Sequence, residues 1–188
     1  MITGALLVAM ALLVAAGSVA LALSHHRRVA APFAGEELDR AALLRVPMER
    51  RLDVAAQRAL PGGWTRALVD AVREAPDDAA RIAATNEALG DLALQLEAGA
   101  GWAPAALRVG ISATLLLAVA AFLVGVPYAA LPVCAVGGAG ALGAADAGRR
   151  ARALAARQRE RADEIVALLL PDLVRQAGAS QGRRRRRA

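Results

Sequence analysis

The sequence has no lysine, one cysteine, two histidines and five aromatic residues, and each scarcity closes off a class of protein. A single cysteine, Cys134, permits neither an intrachain disulfide nor a cysteine-based metal cluster. It falls in an apolar stretch, where a thiol behaves as a small hydrophobe. Aromatics are 3% of the chain, and with few β-branched residues beside them an all-β fold has little to build from. His25 and His26 are adjacent, and neighbouring helical side chains point about 100° apart, so they do not converge on one metal ion. No Ser/His/Asp set, paired catalytic carboxylates or HExxH zinc motif occurs. The glycines around Gly137 lack the strand and the lysine of a phosphate loop. The expectation is a non-enzyme without metal or cofactor.

What is abundant is apolar and helix-forming. Hydrophobic residues make up 57% of the chain, above the usual ~45–50%, and Ala and Leu supply most of them, which favours an all-α fold. The net charge of +6 is uneven. Residues 27–108 hold 11 Arg against 12 acids, whereas 149–188 hold 12 Arg against Glu160, Asp163, Glu164 and Asp172. A basic C-terminal part beside a membrane indicates topology and attraction to anionic lipid. Nucleic-acid binding through Arg183–Arg187 lacks the accompanying stacking or base-reading residues.

Three membrane spans are expected. Residues 5–23 form an uncharged run of 19, about what a helix needs to cross a ~30 Å hydrocarbon core. A cleaved signal peptide would carry a cation before the run; here His25-His26-Arg27-Arg28 follows it. From Ala98 to Ala145 there is no acid, and Arg108 is the sole charge. That length suits two spans, at about 109–126 and 129–147, turned by Gly125, Pro127 and Pro132. Trp102 is expected at the inner interface and Tyr128 at the outer one. Arg27, Arg108 and Arg149-Arg150 all agree with one orientation in a bacterial cytoplasmic membrane, N-terminus out and C-terminus in.

The expected organisation is a first transmembrane helix within 1–26, a cytoplasmic helical domain over 27–105 and a transmembrane hairpin over 106–148. A cytoplasmic helix over 149–177 and an Arg-rich tail over 178–188, expected to be disordered, complete it. Within the domain, Glu36–Val46, Met48–Leu60, Trp64–Ala75 and Asp77–Ala98 are candidate helices separated by Pro47, Pro61-Gly62-Gly63 and Pro76. After the third span, Ala151, Ala155, Gln158, Ala162, Ile165 and Leu169 fall on one helical stripe, which predicts that the same helix continues over Arg149–Val174, broken or kinked near its end by Pro171.

Span three carries Gly137, Ala139, Gly140, Gly143 and Ala144, whose spacing (Ala139/Gly143, Gly140/Ala144) suits close helix approach in lipid. Asp146 lies beside Arg149 and Arg150 and is expected to pair with them. Thr114 either bonds its own helix backbone or faces a polar path between helices. Arg183, Arg184, Arg185, Arg186 and Arg187 are candidates for lipid-headgroup contact.

This layout, with Leu107-Arg108-Val109-Gly110-Ile111-Ser112-Ala113-Thr114 opening the second span, resembles the MotA/TolQ/ExbB family of proton-channel stator subunits. The resemblance covers 5–23, 27–105, 109–147 and 149–174. It implies a homo-oligomer, a pentamer in the family, around a single-span partner whose membrane Asp carries the proton. It also implies pore-lining roles for Thr114 and Ser112. Span three lacks the hydroxyls and membrane carboxylate of better-known members, and the hairpin turn is shorter than in many of them. A non-transporting scaffold, an assembly component of a secretion or envelope complex, is the other reading.

Overall fold

The structure, a computed structural model, describes residues 2–36, 38, 40–98 and 100–171, without the side chains of residues 40 and 42. The described residues are helical and contain no strand. In chain order the helices are α1 (Ile2–Ala30), α2 (Arg40–Leu44), α3 (Met48–Arg58), α4 (Trp64–Glu74), α5 (Asp78–Glu97), α6 (Trp102–Leu123) and α7 (Ala130–Leu169). Short 3₁₀ turns follow α1 at Ala31–Phe33 and precede α7 at Pro127–Ala129. Three helical stretches, 2–33, 78–123 and 127–169, are long and apolar enough to cross a membrane. The chain divides into two compact units, Met1–Ala30 with Leu96–Ala155 and Ala31–Gln95 with Ala156–Ala188.

The first unit is a three-helix bundle of α1, α6 and the first part of α7. Lipid tails are as apolar as leucine, so helices in a bilayer associate through close contact and not by escaping water. Small residues provide that contact at every level. At one end Gly4 lies under the ring of Tyr128, and Leu7, Ala11, Ala121, Ala129 and Val133 form a buried cluster. At the other end Ala22, Ala103, Ala144 and Ala147 form a second one. Gly125, with φ +72°, makes the turn between α6 and α7, a backbone region where a side chain is strained. Pro104 sits in the first turn of α6, where its missing N–H costs no helical bond.

The second unit is built from polar amphipathic helices. Trp64, Thr65, Leu68, Val69 and Val72 form the buried face of α4. The Trp64 ring packs 5.3 Å from that of Phe33, and its indole N–H donates to the Ala88 carbonyl at 2.9 Å. Asp77 caps α5 by accepting the Ala80 N–H at 2.7 Å, and Leu92 is buried. Arg66 donates to the Ala56 carbonyl at 2.8 Å, and Arg73 pairs with Asp53. From α7, Arg161 donates to the Glu36 carbonyl at 2.8 Å and lies over the Phe33 ring.

The first helix expected in this unit, Glu36–Val46, shortens to Arg40–Leu44. Gly35 has φ +76°, which no right-handed helix accommodates, and Glu36 turns inward to accept the Thr65 hydroxyl at 2.6 Å. The expected continuation of the third apolar stretch is present up to Leu169: α7 runs 40 residues from apolar to charged sequence and ends two residues before Pro171. The expected reach beyond residue 171 lies outside the described residues. Its expected stripe is buried at Ala151, Gln158, Ala162, Ile165 and Leu169.

Candidate functional site

Five of the candidate residues of the three apolar helices, Thr114, Gly137, Gly140, Gly143 and Ala144, lie along the seam between α1, α6 and α7. Thr114 is buried on α6 and donates its hydroxyl to the Gly110 carbonyl at 2.7 Å, one turn earlier on the same helix. Its side chain occupies the space that a Cβ on Gly137 would need. Ser18, on α1, does likewise: it donates to the Val14 carbonyl at 2.9 Å and lies 3.0 Å from where a Gly110 Cβ would stand. Gly110, which the sequence placed at the opening of the second span without a packing role, is therefore the point where α1 crosses α6.

The register follows from these contacts. Thr114 meets Gly137 and Ala103 meets Gly148, eleven residues apart on each helix and in opposite directions, so α6 and α7 are antiparallel. Ala129 lies beside Gly4 and Gly140 beside Ala15, again eleven apart but in the same direction, so α1 and α7 are parallel. Eighteen to twenty residues separate the two ends at 1.5 Å each, giving about 30 Å, the thickness of a bilayer core.

The five small residues proposed for helix packing do not share one face. Gly137, Gly140 and Ala144 are buried in the seam, and Gly143 is half-buried against Val19. Ala139 is exposed, on the outer face of α7 beside Gly138. Ser112 is also exposed, so α6 presents it away from Thr114. Next to the seam runs a shallow apolar groove of about 190 Å³ lined by Ile111, Leu115, Cys134 and Gly138, with Thr114 and Gly137 at its base.

Chemically this seam offers two buried hydroxyls, Ser18 and Thr114, each donating its proton to a carbonyl of its own helix. Each oxygen can still accept a bond. Asp146 is paired with Arg150 at 2.7 Å and Arg149 at 3.7 Å, as its position beside them predicts. Among the described residues, two buried side-chain atoms lack a hydrogen-bond partner, His25 Nδ1 and Glu36 Oε1. Composition could not single out either, since burial of a polar atom is a tertiary outcome. Among the described residues no group of three or more His, Cys, Asp or Glu is placed to hold a metal ion. The candidate lipid contacts Arg183–Arg187 lie outside the described residues. No family model, curated protein or solved structure matches this chain.

Proposed function

We propose that the chain is a stator-like subunit of an oligomeric energy-transducing complex of the MotA/TolQ/ExbB kind. It lies in a bacterial cytoplasmic membrane with its N-terminus out and its C-terminus in. The observation that carries this reading is the order of the parts. An apolar helix is followed by a polar helical unit, then by an apolar hairpin whose last helix runs without a break into charged sequence. The groove between α6 and α7, with Thr114 at its base, supports a place for a single-span partner bearing a membrane carboxylate. The exposed apolar side chains Val109, Leu116, Val119, Phe122 and Leu142 suit lipid or a second copy of the chain.

A non-transporting scaffold is the second reading, and one observation favours it. The Thr114 hydroxyl is already satisfied by its own helix, and Ser112 stands apart from it.

Thr114→Val separates the two. It preserves shape and removes a hydroxyl whose bond lies within α6 and joins no two helices, so assembly mass in mild detergent should not change. Under the stator reading, proton influx into vesicles holding the purified complex falls sharply, and Ser112→Ala adds to the loss. Wild-type complex that admits no protons, or a variant as active as the parent, leaves the scaffold.

Orientation is testable in the same cells. Because Cys134 is exposed, the labelling background must be Cys134→Ala. In it, Thr3→Cys should react with a membrane-impermeant thiol reagent and Ala179→Cys should not. The reverse pattern would invert the topology.

A further inference from the structure

We infer that the arginine-bearing end of the first unit is a headgroup-binding belt for anionic phospholipids, with Arg28 as its anchored member. The inference rests on the membrane-spanning reading of α1, α6 and α7.

The contacts of the bundle bring its basic residues to one level. The Arg28 guanidinium lies 4.3 Å from the centre of the Trp102 ring, which joins the end of α1 to the start of α6. Ala103, the next residue, meets Gly148, which places Arg149, Arg150 and Arg152 of α7 at that same end. Arg108 lies five residues further along α6, about 7.5 Å deeper, within the reach of a side chain that extends its charge back toward water. All six of these arginines, Arg27 included, are exposed.

At the opposite end, where Gly4 meets Tyr128 and Ala129, there is no charged side chain. From residue 1 to residue 26, and again from 109 to 145, the sequence has no Asp, Glu, Lys or Arg. The unit contains two acids, Glu97 and Asp146, against the six arginines, and Asp146 is shared between Arg149 and Arg150. The surplus is therefore positive and confined to one rim.

Two features select a lipid headgroup from among anions. The exposed apolar side chains of Val109, Ile111 and Leu115 begin directly beside Arg108, so the arginines stand where acyl chains give way to phosphate. A guanidinium stacked on an indole keeps its in-plane N–H groups free, and that planar fork matches phosphate oxygens. Trp102 itself is half-buried, at the depth where an indole is favoured in a bilayer.

The test uses the full chain purified in mild detergent, exposed to equal phosphatidylglycerol and phosphatidylcholine, with bound lipid counted by native mass spectrometry. Wild-type protein should retain phosphatidylglycerol preferentially. A basic residue near an anionic surface is worth about 1 kcal/mol, roughly fivefold. The pair Arg27→Gln and Arg108→Gln should therefore lower the preference roughly 25-fold, and Arg28→Gln should lower it further. Arg27 and Arg108 have no role in the helix seam, so the pair remains informative even if Arg28→Gln loosens the Trp102 contact. Replacing Arg183–Arg187 with Gln should leave a clear preference that the Arg27/Arg108 pair then removes.

Equal retention of both lipids by the wild type overturns the belt, as does a preference unaffected by the Arg27/Arg108 pair. Displacement of the lipid by excess inorganic phosphate would make the site one for free anions and overturn the lipid assignment. Release of the wild-type protein from membranes by alkaline carbonate would instead remove the spanning reading beneath it.

Discussion

Gly140→Leu should break the three-helix packing without changing how the chain fractionates with membranes. A Cβ on Gly140 would stand 2.5 Å from the Ala15 Cβ and 2.7 Å from its Cα. The second of these is backbone, so no change of rotamer makes room. Overpacking of this kind costs about 1–3 kcal/mol and occasionally more, and here the upper figure applies because α1 itself must move. At 2–4 °C per kcal/mol for a chain of this size, the thermal transition in detergent should fall by roughly 6–12 °C. Membrane fractionation should not change, since each span remains apolar.

The control is Gly138→Leu, two residues away, where an added side chain meets nothing within 4 Å. In the isolated chain this change should be nearly silent. Equal damage from both substitutions would show that Gly137 and Gly140 do not turn inward with Gly138 outward, and the helix register would be wrong.

Leu68→Ala should be the most damaging truncation in the second unit. Leu68 is wholly inaccessible, on the α4 face that also buries Val69 and Val72. Removing a buried leucine costs 2–5 kcal/mol, about 3 or more where rigid neighbours prevent collapse into the space. Against a typical domain stability of 5–15 kcal/mol, that is a large share. Hydrogen exchange should show faster exchange through α3 and α4, with little change in α1 and α6. Leu94→Ala, on a side chain 69% exposed, should shift stability by less than about 0.5 kcal/mol. An unaltered exchange pattern for Leu68→Ala would mean that α4 does not form the core of this unit.

Composition and local pattern determined that the chain is helical, that three stretches can cross a membrane and where several helices stop. An uncharged run of Ala and Leu has few other stable conformations in lipid, because every backbone N–H and C=O must be satisfied within the segment. Pro61-Gly62-Gly63 and Gly125 ended helices for reasons local to the backbone, and the alternation of Ala151, Gln158, Ala162 and Ile165 with arginines carried α7 past the apolar run. Helix ends set by distant partners were not legible. Glu36 left its expected helix because Thr65, 29 residues away, and Arg161, 125 residues away, both bind it. Facing among the three apolar helices was also not legible. A helix that is apolar all round has no polar side to mark the outside, so periodicity is silent about whether Gly137 or Gly138 turns inward. Tertiary packing decided it: the side chain of Thr114 and the backbone of Ala15 need the room that Gly137 and Gly140 leave, and Ala139 is turned away from both.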